Sequence, residues 1–173
     1  MWLELEVLFR LMVSAFLSSL IGFERQATGK RAGLRTHMLV AVGSTLFVSF
    51  AELYIDASTV KHMAPSGLPE GLRIEIQPIT LVQAIATGIG FLGAGTIFVA
   101  GHQRRVHGLT TAASIWATAA MGVTIGIGRY VLAVGTTFLI LFILHIMIRL
   151  EASHNADETA MTGVDVPPSA GGD

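Results

Sequence analysis

The chain contains no cysteine, which excludes disulfides, thiol nucleophiles and zinc–thiolate sites. It is also short of charge. Only 13% of its 173 residues are Asp, Glu, Lys or Arg, against about a quarter in a soluble domain. The shortfall is concentrated. Ile79 to Ala100 and Gly108 to Gly128 carry no charged side chain, and Tyr130 to Ile148 carries only His145. Each run approaches the ~20 residues that take a helix across ~30 Å of hydrocarbon. No soluble core explains three such runs in so short a chain. With 52% hydrophobic residues and a mean hydropathy of +0.65, the class is a polytopic membrane protein.

Two further spans carry charge. Leu34 to Tyr54 is apolar through Met38–Ala51 and then meets Glu52. Leu5 to Phe23 contains Glu6 and Arg10, and only Leu11 to Phe23 is free of charge there. Those residues reach ~20 Å as helix, so a spanning helix must carry Arg10 within its outer half. Glu6 and Arg10 stand i,i+4 in the favourable order and can pair on one face. Arg10 then either snorkels to the near interface or faces the bundle interior, where intramembrane charges are usually functional. The acidic start, with Glu4 and Glu6, and the poor cleavage site around Gly22-Phe23-Glu24-Arg25 argue against a removed signal peptide.

The expected fold is therefore all-α: a transmembrane bundle of five helices with spans near 5–23, 34–54, 79–100, 108–127 and 130–148. Arg25, Lys30, Arg31, Arg35, Arg104, Arg105 and Arg149 fall on one side, and Lys61, Arg73 and Arg129 on the other. The positive-inside rule puts the richer side in the cytoplasm, with the N-terminus outside and the C-terminus cytoplasmic. The localisation expected is a bacterial inner membrane. Residues 151–173 lack the apolar mass to pack and are expected to be a disordered cytoplasmic tail.

The loop from Glu52 to Pro78 holds the scattered carboxylates Glu52, Asp56, Glu70 and Glu75. Oxygen ligands suit a hard divalent ion, but no tight Asp-x-Asp spacing supports a site, and solvated loop charges are the simpler reading. His102 and His107 share a short basic loop without sharing a helical face. No metal, cofactor or nucleic-acid partner is expected.

Gly88-Ile89-Gly90-Phe91-Leu92-Gly93-Ala94-Gly95 resembles a dinucleotide fingerprint as a bare pattern. That fingerprint needs a preceding strand and an acidic residue about 20 positions later. Neither is present. In lipid, small residues let helix backbones approach closely. Glycines on several faces predict packing against more than one neighbour, and a locally unwound stretch lining a cavity is the alternative. The span Gly108-Leu109-Thr110-Thr111-Ala112-Ala113-Ser114-Ile115-Trp116 offers a matching small-residue surface. Trp116 falls mid-span and is expected to be buried with an acceptor for its indole N–H, or to form a cavity wall. In the first loop, Glu24 and Arg35 are placed to pair across the first two helices, with a simply exposed Glu24 as the alternative. The basic residues there would attract anionic lipid headgroups.

Three segments together resemble the MgtC/SapB family: Gly22-Phe23-Glu24-Arg25 with Ala32-Gly33-Leu34-Arg35-Thr36, the glycine run, and Gly108-Leu109-Thr110-Thr111-Ala112-Ala113 with Trp116. The resemblance covers about residues 5–150. It implies a five-helix bacterial inner-membrane protein linked to growth at low magnesium, and in some members to virulence and restraint of the F-type ATP synthase. Two departures stand out. The ACT-like domain that many members carry after the fifth helix is not seen, and Gln77-Pro78-Ile79-Thr80 lacks the Asp and Arg that many show before the glycine helix.

The reading favoured is a non-enzymatic regulator of ion or energy homeostasis. It would act through membrane lipids and protein contacts, as a homo-oligomer with a dimer favoured. The candidate functional or packing residues are Arg10, Glu24, Arg25, Gly33, Arg35, Thr36, Gly88, Gly90, Gly93, Gly95, Gly108, Thr110, Thr111 and Trp116. The alternative is a magnesium or proton transporter or channel using Arg10, Glu24 and the glycine segment.

Overall fold

A computed structural model describes the backbone of residues 2–56, 78–100 and 105–162. Among the described residues there are five helices: α1 (Trp2–Ala27), α2 (Leu34–Asp56), α3 (Pro78–Ala94), α4 (Leu109–Gly126) and α5 (Tyr130–Thr162). A two-stranded antiparallel hairpin, β1 (Phe98–Ala100) with β2 (Arg105–His107), joins α3 to α4. By length and composition, Trp2–Ala27, Leu34–Leu53 and Leu109–Gly126 are candidate membrane spans, and Ile79–Ala94 and Tyr130–Ile146 are shorter apolar helices.

The helices are sided, but in the reverse of the sense found in water. On α1 the buried positions are Arg10, Ser14, Leu17, Ser18, Ile21, Gly22 and Arg25, a stripe of helical period. Four of those side chains are polar. The opposite face exposes Leu5, Leu8, Phe9, Met12, Phe16, Leu20 and Phe23. α2 repeats the pattern, burying His37, Ala41, Ser44, Thr45, Val48 and Ser49 and exposing Leu39, Leu46, Phe47 and Phe50. An outer face more apolar than the inner one suits a chain whose solvent is lipid, where burying an apolar group gains little and small residues allow close packing.

Two glycines set the separation of α2 and α4. A Cβ on Gly122 would stand 2.5 Å from the Ala41 carbonyl oxygen, and one on Gly126 would stand 2.7 Å from Val48 Cβ. Spaced i,i+4, they let two backbones nearly touch. Gly22 does the same for α1 against α2, with Leu34 Cα 2.7 Å from where its Cβ would lie. α5 adds Ala133, Ile140 and Leu144 to an apolar core that includes Leu17, Ile21, Ala41, Met121 and Ile125. Thr137 of α5 donates to Met121 Sδ at 2.9 Å.

Two expected boundaries move. The span placed at 79–100 stops being helical at Ala94. There Thr96 N and Thr96 Oγ1 both donate to the Gly93 carbonyl, at 2.9 and 2.7 Å, which closes the helix in a turn. The residues that follow, Ile97-Phe98-Val99, favour extended backbone and enter the hairpin. Gly95 therefore lies just beyond the helix and shares no helical face with Gly88. The last helix continues to Thr162, through residues 151–162 where irregular chain is expected; the remaining residues of that tail lie outside the described ones.

Candidate functional site

Polar chemistry gathers at both ends of the α1–α2–α4 trio. At one end Arg10 is buried and faces the interior instead of snorkelling. Its Nη2 donates to Glu6 Oε1 at 2.6 Å, the pair expected from spacing. Its Nη1 donates to the Gly126 carbonyl at 2.5 Å and to Glu52 Oε2. One guanidinium thus ties α1, the end of α2 and the end of α4. Its Nε is buried without a partner. Glu6 and Glu52 remain about half exposed, so solvent reaches the carboxylates though not the guanidinium. Below this cluster, Thr45 Oγ1 lies 2.8 Å from both Ser14 Oγ and the Gly122 carbonyl, again linking three helices.

At the other end Arg25 is almost fully buried. It pairs bidentately with its neighbour Glu24, Nε to Oε2 at 2.5 Å and Nη2 to Oε1 at 2.7 Å. The expected Glu24–Arg35 pair does not form. Arg35 is exposed, and the fork–fork geometry of Arg25 occupies both Glu24 oxygens. Beside it, His37 is completely buried between α2 and α4. Its Nδ1 lies 3.0 Å from the Gly33 carbonyl and its Nε2 3.2 Å from Ser114 Oγ. Ser114 Oγ in turn donates to the Thr111 carbonyl at 2.9 Å. Thr111 Oγ1 is buried with no partner.

The first loop and the hairpin sit at this same end. The Arg31 guanidinium lies 4.0 Å over the Phe98 ring, whose other neighbour is the stacked His107 ring at 5.4 Å. Gly29, at φ +73, turns the chain after α1, with Lys30 N donating to the Arg25 carbonyl at 2.9 Å. Gly108, at φ +88, opens α4, and a Cβ there would lie 2.1 Å from the Thr96 carbonyl oxygen. Between α1 and α5 an open groove of about 720 Å³ is lined by Glu24, Phe138, Leu139, Leu141, Phe142 and His145.

The remaining expected residues divide. Gly93 faces α4: a Cβ added there would lie 3.5 Å from Ala112 Cβ. A Cβ added at Gly88 or Gly90 would meet nothing within 4 Å among the described residues beyond the helix's own backbone, and both are exposed, as is Phe91. Thr110 is exposed and Thr36 half-buried. Trp116 is 52% exposed, not buried, because the inward positions of α4 fall at Thr111, Ser114, Ile115 and Thr118. Of the scattered loop carboxylates only Glu52 is described at the side-chain level; Asp56 is described in its backbone alone, and Glu70, Glu75 and His102 lie outside the described residues. Among the described residues no three His, Asp or Glu gather as a metal-ligand set. Sequence reasoning missed His37, Ser114, Gly122 and Gly126. A histidine at the head of an uncharged run and a Gly-x-x-x-Gly spacing were the available signals.

The family model described as "MgtC family" matches residues 11–153. The chain belongs to the MgtC family. It is similar to YhiD of Escherichia coli (strain K12), which carries a provisional description as a magnesium transporter, at 37% identity over 84% of this chain and 62% of YhiD. It is 40% identical to SrpB of Synechococcus elongatus over 81% of this chain and 73% of SrpB. It is 43% identical to MgtC of Brucella abortus over 75% of this chain and 47% of that protein. The chain thus spans less than two thirds of YhiD and about half of the Brucella MgtC. No solved structure matches it. As an MgtC-family chain with three long apolar helices, it is a bacterial membrane protein.

Proposed function

We propose that this MgtC-family chain is a non-enzymatic membrane regulator linked to magnesium homeostasis, working by contact with other membrane proteins. One observation carries the reading. Gly88 presents bare backbone on one side of α3 and Gly90 on another: among the described residues, no atom outside the helix's own backbone would lie within 4 Å of a Cβ added at either. Phe91, 85% exposed, stands beside them. A bare glycine with an aromatic projecting beside it, as Gly88 has in Phe91 three residues on, suits close approach by another transmembrane helix. The proposed partner is a polytopic membrane protein or a second copy of the chain; the family resemblance makes the F-type ATP synthase the first to test. The provisional description of YhiD as a magnesium transporter supports the magnesium link. We place the end bearing Lys30, Arg31 and Arg35 in the cytoplasm of an inner membrane, on their charge.

The test replaces Gly88 and Gly90 by Leu in the full chain. Growth at low magnesium and co-purification with a membrane partner should both be lost while helix content is kept. Unchanged growth and co-purification would sink the reading.

A second reading, ion or solute passage, is favoured by the buried polar seam from Arg10 through Thr45 towards His37. Magnesium or proton flux into liposomes, abolished by Glu24→Gln, would favour it over regulation.

A further inference from the structure

The hydrogen bonds around His37 cannot all be satisfied by a neutral ring with the protons where the distances put them. The Gly33 carbonyl can only accept, so the Nδ1 contact at 3.0 Å places a proton on Nδ1. The Thr111 carbonyl can only accept, so the 2.9 Å contact uses the one proton of Ser114 Oγ. The remaining contact, Nε2 to Ser114 Oγ at 3.2 Å, then has two lone pairs and no proton between them. Two arrangements resolve it. With a neutral ring, Ser114 turns its proton onto Nε2 and leaves the Thr111 carbonyl. With a doubly protonated ring, Nε2 donates to Ser114 Oγ, and Ser114 donates on to Thr111.

We propose that His37 and Ser114 form a proton-binding site on the α2–α4 interface, in which one proton gained at Nε2 turns the Ser114 hydroxyl from the ring onto the Thr111 carbonyl. The proton comes from water at the adjacent membrane surface, and no other bond is made or broken. Each state keeps the ring nitrogens hydrogen-bonded, so neither leaves an unsatisfied buried ring nitrogen. The unpartnered Thr111 Oγ1 lies on the same residue that the switch releases or engages. The site therefore couples proton occupancy to the first turn of α4, the segment that Gly108 ties to the hairpin.

The charged surroundings are mixed. α1 supplies the ion-paired Glu24 and Arg25, whose fields on the ring oppose one another. Arg35 lies one half-turn earlier on α2, and Lys30 and Arg31 are in the preceding loop. His107 stands in the hairpin, and His145 of α5 shares the groove with Glu24. α3 and α4 contribute no titratable side chain between Pro78 and Ala94 or between Leu109 and Gly126. The proton is thus held by the ring and the Ser114 hydroxyl, not by a carboxylate.

The test uses the full chain in lipid nanodiscs, with nitrogen-15 in its histidine rings, titrated from about pH 8 to pH 4.5 across the range natural to histidine. One ring signal, identified by its loss in His37→Gln, should pass from the Nδ1–H form to the doubly protonated form while helix content is constant. In Ser114→Ala the same signal should titrate with its midpoint displaced by at least about half a pH unit, since the hydroxyl serving both states is gone. A ring that keeps one proton throughout, a ring that keeps two at pH 8, or an unshifted midpoint in Ser114→Ala would each overturn the proposal.

Discussion

The carbonyl oxygen of Gly126 accepts from Arg10 Nη1 at 2.5 Å, although the two residues lie 116 positions apart. The same glycine brings α4 against Val48, so a single residue sets a helix separation and receives a buried cation. Gly126→Ala puts a methyl 2.7 Å from Val48 Cβ. Overpacking of this kind costs about 1–3 kcal/mol. The variant should melt earlier in detergent, followed by helicity, and Val48→Ala in the same chain should restore part of the loss.

Arg10 and its carboxylates should respond unequally to deletion. Arg10→Met leaves Glu6 and Glu52 half exposed and still hydrated, so it should cost roughly 1 kcal/mol or less. Glu6→Gln with Glu52→Gln leaves the buried guanidinium without a counter-charge, and removing partners from a buried cation costs about 3–5 kcal/mol. The double variant should unfold at clearly lower temperature than Arg10→Met. The reverse order would show that the guanidinium is solvated.

Gly108→Ala forces a side chain into left-handed backbone and against the Thr96 carbonyl oxygen. Strain at such positions costs about 1–3 kcal/mol. Hydrogen exchange should accelerate in Phe98–Ala100 and in the first turn of α4, with little change in α1.

Arg31→Ala and Phe98→Leu each remove the same stacked contact. An exposed cation–π pair contributes about 0.5–1 kcal/mol. Phe98→Leu, which also removes the His107 stack, should loosen the hairpin more than Arg31→Ala by hydrogen exchange, and adding Arg31→Ala to Phe98→Leu should change almost nothing. Additive effects would separate the two residues.

Much of the architecture was written in the charge-free runs, and the Glu6–Arg10 pair in its i,i+4 spacing. Glu52 was legible as a charge but not as a partner, because it stands 42 positions from Arg10 and no local spacing links the two. The glycine run drew attention to α3, yet the tightest backbone approaches use Gly22, Gly122 and Gly126. Hydropathy cannot rank glycines, since it records composition and not which face turns inward. Trp116 misled for the same reason: mid-span position fixes depth in the bilayer, not the direction of the side chain. The helix end at Ala94 depended on Thr96 recapturing a carbonyl, a local hydrogen bond that a run of apolar letters does not display.

The length of α3 has a mechanical consequence. α3 has 17 residues and no charged side chain, or about 25 Å at ~1.5 Å per residue. A hydrocarbon core of ~30 Å is too thick for α3 and must pinch inward beside it, at fractions of a kcal/mol per Å of mismatch. The pinch surrounds the exposed surface of α3, where Gly88 and Gly90 are bare on two sides. Any helix of similar shortness that settles there relieves the deformed lipid, so the bilayer itself supplies part of the force that brings a neighbour to α3.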